Sequence, residues 1–243
     1  MALKTKFQYQ EDFQHSSQPI TTGTSILGLQ FDQGVVIAAD QLVSYGSMAR
    51  FRDIQRVHRV NNRTILGCGG DYADYQYVLR MIEQKSIDES AYEDQYEISP
   101  SSLHCWLTRV QYNRRSKFDP LWCSWVVGGL DDNNKPFLGL ADRLGTAYVS
   151  PHISSGFGNY LAIPLLREEY EKRDGKLTET EAIDILKNCL EVLYYRDARS
   201  WNKYNLAIVN QQGSKIEGPS SFVANGILLM KFPVMSDYNI FKQ

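Results

Sequence analysis

The sequence predicts an α+β fold, with antiparallel sheets covered on their outer sides by layers of helix. Two observations carry this. The expected elements fall in blocks of strands, two helices, strands, two helices and strands, where parallel βαβ units would alternate strand with helix. The expected strands are joined by short polar turns, Asp32-Gln33-Gly34, Asp131-Asp132-Asn133-Asn134 and Gln212-Gly213, which suit hairpins. Nothing resembling a linker divides the 243 residues, and a chain of this length buries roughly 70–75% of its unfolded surface.

In chain order, residues 1–22 are rich in Gln, His, Ser and Pro without an apolar period, and read as a leader or flexible arm. Ser25 to Phe31 reads as a strand, Asp32-Gln33-Gly34 as a turn, and Val35 to Asp40 as a second strand. Ser47 to Val60 carries Arg50, Arg52, Asp53, Arg56 and Arg59. Arg63 to Gly69 is a short strand ending in glycines. From Asp71 to about Ser90, apolar residues at Ala73, Tyr77, Val78, Met81 and Ile82 recur at the spacing of one helical face. Ser99-Pro100 supplies an N-cap and a first-position proline for a second helix, whose stripe is Leu103, Trp106, Leu107 and Val110. Strands are expected at Leu121–Leu130, Pro136–Ala141 and Thr146–Ser150. Asn159 to Arg173 reads as helix with Pro164 near its start. Thr178-Glu179-Thr180-Glu181 is a capping box opening a helix with stripe Ala182, Ile185, Leu186, Leu190 and Leu193. Tyr204–Asn210 and Ser214–Glu217 form a last hairpin. The stretch 218–243, with Pro219 and Pro233, shows no period, and such a tail packs on something else.

Composition narrows the function. Hydrophobic residues make up 43% and charged residues 22%, as in ordinary soluble globular proteins. A net charge of −2 gives no global field toward nucleic acid or a membrane surface. No apolar run approaches the roughly 18 residues of a membrane span. The opening residues, Met1 to Gln8, lack the apolar core of a secretory signal. Cys68, Cys105, Cys123 and Cys189 are widely spaced and read as buried reduced thiols of an intracellular protein. His15, His58, His104 and His152 are isolated, so a zinc site is not expected. Gly156-Phe157-Gly158 lacks the third glycine of a dinucleotide loop.

Several blocks together carry a resemblance. Thr24-Ser25-Ile26, Gly34 to Asp40, Gly67-Cys68-Gly69-Gly70-Asp71 and Tyr195-Arg196-Asp197-Ala198 resemble, in order, the conserved blocks of proteasome beta subunits. Gly46 to Phe51, Arg114 to Trp122 and Leu193 to Ser200 are similar to the beta type-4 class, which occupies the beta-7 position of the eukaryotic ring. The resemblance implies a four-layer αββα sandwich of two antiparallel sheets between helix layers, the N-terminal-nucleophile hydrolase type. Active members use an N-terminal threonine, and a threonine hydroxyl is a weak nucleophile until a base such as a free α-amine, of pKa about 7.7–8, takes its proton. By resemblance Thr24, Asp40, Gly70 (the oxyanion donor), Asp197 and Ser200 match the family's site. Two positions depart. The lysine position is Arg56, whose guanidinium keeps the charge but cannot shuttle a proton. The serine expected next to the threonine amine is Phe157, whose ring removes a hydroxyl and fills space.

The resemblance also implies removal of a leader over residues 1–15. That leaves a domain over 16–218 with Thr24 internal, and a tail over 219–243 for contact between subunits. It implies a non-catalytic structural beta subunit of the 20S core, with no metal or cofactor. Sister subunits would then carry out ATP- and ubiquitin-dependent degradation. Partners would be beta subunits of the same and the opposite ring and alpha-ring subunits, in cytoplasm and nucleus, with no role for nucleic acid or membrane. Simpler structural roles stand beside these. Thr24 alone is a strand threonine, Asp40 caps local N–H groups, and Asp197 and Ser200 hold a helix-end loop. Gly69 and Gly70 serve backbone angles closed to other residues. Arg109, Arg114 and Arg115 are either a solvated helix end or partners for a neighbour's carboxylates. Trp122 and Trp125 suggest that one face of their strand is an interface.

Overall fold

The segment Val35-Val36-Ile37-Ala38-Ala39 is apolar at every position, and every one of these residues is buried. A strand reads this way only when both of its faces are covered. The structure, a computed structural model, describes residues 18–91 and 97–222. Its first half consists of strands β1 (Thr21–Gly23), β2 (Ile26–Phe31), β3 (Gly34–Asp40), β4 (Val43–Tyr45), β5 (Met48–Phe51), β6 (Val57–Arg59) and β7 (Thr64–Asp71), then helices α1 (Tyr72–Ser90) and α2 (Pro100–Ser116). Next come β8 (Cys123–Leu130), β9 (Pro136–Ala141), β10 (Ala147–Val149) and β11 (His152–Ser154). Helices α3 (Gly158–Leu161), α4 (Ile163–Glu171) and α5 (Glu179–Arg196) follow, and β12 (Lys203–Asn210) and β13 (Gly213–Ser221) close the described chain.

Every described pairing is antiparallel. One sheet runs β10-β9-β8-β7-β1-β4-β5, with β6 also on β7; the other runs β11-β2-β3-β12-β13. Three apolar clusters define the layers. Ile26, Val35, Ile37, Val126 and Leu138 pack between the two sheets. Leu66, Trp125 and Val127 pack against Val78, Ile82, Leu103 and Leu107 of α1 and α2. Leu27, Val36 and Ile208 pack against Leu166, Ile185, Leu186 and Leu190 of α4 and α5. The result is the four-layer αββα sandwich that the resemblance implies.

The helices start where their caps say. The Asp71 carboxylate accepts from the N–H groups of Ala73 and Asp74, and the Ser99 hydroxyl accepts from Ser102. Both halves of the Thr178–Glu181 capping box are formed. Such caps are worth about 1 kcal/mol each.

Several expectations need correction. Thr21 and Thr22 lie in β1, whereas residues 1–22 read as an arm; long-range pairing with β4 and β7 makes this polar triplet a strand. The helix expected over Asn159–Arg173 is two pieces, α3 and α4, meeting at Ala162. Pro164 lacks the N–H that a continuous helix would use there. Trp125 is core, its ring tilted against Tyr75 with centroids 5.7 Å apart, because β8 is covered by a sheet on one face and by helices on the other. No face at Trp125 is left for a partner, and Trp122 sits under the Arg143 guanidinium. Arg114 pairs with Asp119 of its own chain, and Arg115 lies over Tyr112. Cys105 is exposed, whereas Cys68, Cys123 and Cys189 are buried; all four are free thiols. Residues 219–221, placed in the tail by the sequence, belong to β13. The leader over 1–15 and the rest of the tail, 223–243, lie outside the described residues.

Candidate functional site around Thr24

Five of the expected positions converge at the junction of β1 and β2. Thr24 is held between these strands, its nitrogen part of the peptide bond to Gly23. Its hydroxyl donates to Asp197, which caps the end of α5. The other Asp197 oxygen accepts from the Arg199 N–H at 2.9 Å, and Ser200 joins through its backbone N–H, which donates to the Asp197 carbonyl at 3.1 Å. The helix-end loop is thereby held in shape, and the threonine hydroxyl is tied to it.

Arg56 lies beneath this junction and is 2% exposed. It ion-pairs with the Asp40 carboxylate through one end of its guanidinium. Its other N–H groups donate to the carbonyls of Thr24 at 2.8 Å, Asp40 at 3.1 Å, Ser25 at 3.3 Å and Cys68 at 3.4 Å. A rigid five-donor fork suits this multipoint geometry, and a lysine ammonium has only three donors. The side chain comes so close to the backbone that a Cβ at Gly23 would stand 2.6 Å from Arg56 Cδ. The second Asp40 oxygen accepts from the Trp201 N–H at 2.8 Å. Burial pushes the Asp40 carboxyl up to about 6; the Arg56 charge and hydrogen bond and the Trp201 N–H pull it back, and the nearby Asp197 adds slightly to the rise.

Gly70 has φ of 104°, and a Cβ there would stand 2.1 Å from the Trp122 carbonyl oxygen, so only glycine fits. It lies opposite Gly23 in the β1–β7 register, and Thr22 lies opposite Asp71. Residues ahead of the threonine therefore run as a strand through the groove between β4 and β7.

Phe157 does not fill the site as expected. It is 59% exposed at the start of α3, so its ring is not packed into the interior. The hydroxyls close by come from Ser25, which accepts from the Gly158 N–H at 2.9 Å, and from Ser155, which accepts from the Ile26 N–H at 3.0 Å. Sequence reasoning missed Ser25, Ser155 and Trp201. Ser25 adjoins Thr24 and was open to notice; the other two arrive only through folding. Among the described residues, no cluster of His, Cys, Asp and Glu has the makings of a metal site. Chemically, the site holds a hydroxyl bound to a carboxylate, a cation fixed by a second carboxylate, and no free amine at Thr24.

Comparison with known proteins identifies the family. The model of the proteasome subunit family matches residues 20–209. The chain is 53% identical over 211 residues to a proteasome subunit beta type-4 of Xenopus laevis, covering 87% of this chain and 86% of that protein. It is 46% identical over 205 residues to a beta type-4 subunit of Drosophila melanogaster, covering 84% and 76%. A probable proteasome subunit beta type-7 of Schizosaccharomyces pombe is 44% identical over 210 residues, covering 86% and 80%. The chain belongs to the proteasome subunit family, and its resemblance to the beta type-4 class is borne out by the Xenopus and Drosophila relatives.

Proposed function

We propose that this chain is a non-catalytic, structural beta subunit of the 20S proteasome core, completing a ring in which sister subunits degrade ATP- and ubiquitin-selected proteins. One observation carries the reading: the residues ahead of Thr24 are built into the sheet as β1, with Gly23 opposite Gly70. The groove that a substrate strand would use is filled, and the nitrogen that would serve as base is an amide. Arg56 supports the same reading, because its guanidinium is committed to four carbonyls and a carboxylate. The chain sits beside other beta subunits of its own and the opposite ring and against the alpha ring, in cytoplasm and nucleus. Its leader is trimmed near residues 15 and 16, and its C-terminal residues reach a neighbouring subunit.

Intact mass spectrometry of the chain from its native particle, combined with an electrophile directed at N-terminal threonines, tests this. The expected result is a mass beginning near Ser16 and no adduct at Thr24 while sister subunits are labelled. A mass beginning at Thr24, or an adduct there, overturns it. Deleting 223–243, which leaves β13 intact, lowers the yield of assembled particles; an unchanged yield refutes the role of the tail.

A further inference from the structure

The β4–β5 hairpin forms a surface that the site around Thr24 does not use. Ile20, Tyr45, Met48 and Phe51 expose between 40% and 53% of their surface there, and the Gly46 N–H donates to the Ile20 carbonyl at 3.1 Å, joining the leader to the hairpin. Three guanidiniums surround these apolar side chains. Arg50 lies over the Phe51 ring, Arg52 lies 4.8 Å over Trp201, and Arg199 reaches the Thr22 hydroxyl at 3.5 Å. Among the described residues none of the three pairs with a carboxylate. Asp53 is the single acidic residue from 41 to 59. Exposed aromatics, Met and Arg in one patch are the composition of an interface core.

The backbone adds direction. Among the described residues β5 has a neighbour on one side only, so its outer edge presents unpaired N–H and C=O groups. Met48 and Arg50 alternate along β5, placing their side chains on one face about 6.6 Å apart, the repeat of an opposing extended chain; Arg52, just past the strand, folds back and donates to the Ala49 carbonyl at 3.3 Å.

We propose that this hairpin edge docks an acidic, extended segment of a partner polypeptide, which adds as a further strand along β5 with carboxylates against Arg50, Arg52 and Arg199. Backbone pairing supplies the fit, and the unmatched positive charge selects the partner. The inference rests on the reading that the chain assembles with other subunits, and names the chemistry of one of those contacts.

The test replaces Met48 with the photocrosslinking residue p-benzoylphenylalanine in the full chain, within its native complexes, and sequences the attached peptide. The expected product is a segment of another chain carrying two or more Asp or Glu residues. Arg50→Glu with Arg52→Glu lowers its yield about tenfold or more, and Arg50→Lys with Arg52→Lys largely keeps it. A product within this chain, a neutral or basic peptide, no product, or a yield indifferent to the charge reversal overturns the proposal. Co-fractionation of each variant with the particle is measured in parallel. A chain that never enters the particle refutes the structural-subunit reading, while the crosslinked peptide still decides the chemistry of the edge.

Discussion

Replacing Arg56 with methionine isolates the contribution of the buried cation. Arg56 and Asp40 are each 2% exposed and paired. Breaking such a pair by removing one partner costs about 3–5 kcal/mol, because the other charge stays buried. The carbonyls of Thr24, Ser25, Cys68 and Asp40 lose a donor as well, and methionine restores part of the lost packing. The expected destabilisation is about 4 kcal/mol at neutral pH, a large part of the roughly 5–15 kcal/mol that holds a domain folded. It depends on pH with a definite sign. A carboxyl whose folded pKa lies above its unfolded value destabilises the fold as pH rises through that window. Asp40 is already pushed up to about 6, and the Arg56 charge is the foremost influence opposing that rise. Without it the window extends upward, so the deficit of the variant grows between pH 6 and 8. Urea unfolding of the full chain, followed by tryptophan fluorescence at several pH values, reads this as a shift in midpoint at constant slope. A deficit below about 1 kcal/mol at neutral pH, or one equal at pH 5 and pH 8, refutes the reasoning. Arg56→Lys keeps the charge but loses the fork, and costs about 2 kcal/mol.

Gly70→Ala forces a positive φ on a residue whose Cβ meets the Trp122 carbonyl; a loss of at least about 2 kcal/mol, seen as a lower thermal midpoint, is expected, and an unchanged midpoint contradicts it. Thr178→Ala removes the hydroxyl that accepts from the Glu181 N–H, leaving the Thr178 N–H on the Glu181 carboxylate, and costs about 1 kcal/mol by the same assay. Maleimide labels Cys105 first, because Cys68, Cys123 and Cys189 are buried and burial pushes the Cys189 thiol up to about 12. Equal labelling of all four in the native state contradicts the packing.

Local signals were the legible ones. The starts of α1, α2 and α5 are announced by Asp71, Ser99 and Thr178, whose side chains bond N–H groups two or three residues away. The β2–β3 and β12–β13 hairpins follow from apolar runs around polar turns. β1 was not legible, because Thr21, Thr22 and Gly23 become a strand only by pairing with residues 20 or more positions away. The site divides the same way. Counting from Asp40 locates Arg56, but only the fold brings the carbonyls of Thr24, Ser25 and Cys68 to it. The outward turn of Phe157 depends on how α3 begins, which no spacing in the sequence specifies.

The position of β1 in its sheet also bears on how far the chain can be shortened from the front. In the order β7-β1-β4-β5, the triplet Thr21–Gly23 is the only described link between the β4–β5 hairpin and the rest of that sheet. Cutting ahead of it removes no sheet partner among the described residues. Cutting behind Gly23 would leave β4 and β7 facing an empty slot one strand wide, with the backbone groups on both sides needing water or another peptide. A protease that cut inward would first have to unpair β1 from β4 and β7 to reach the bond behind Gly23.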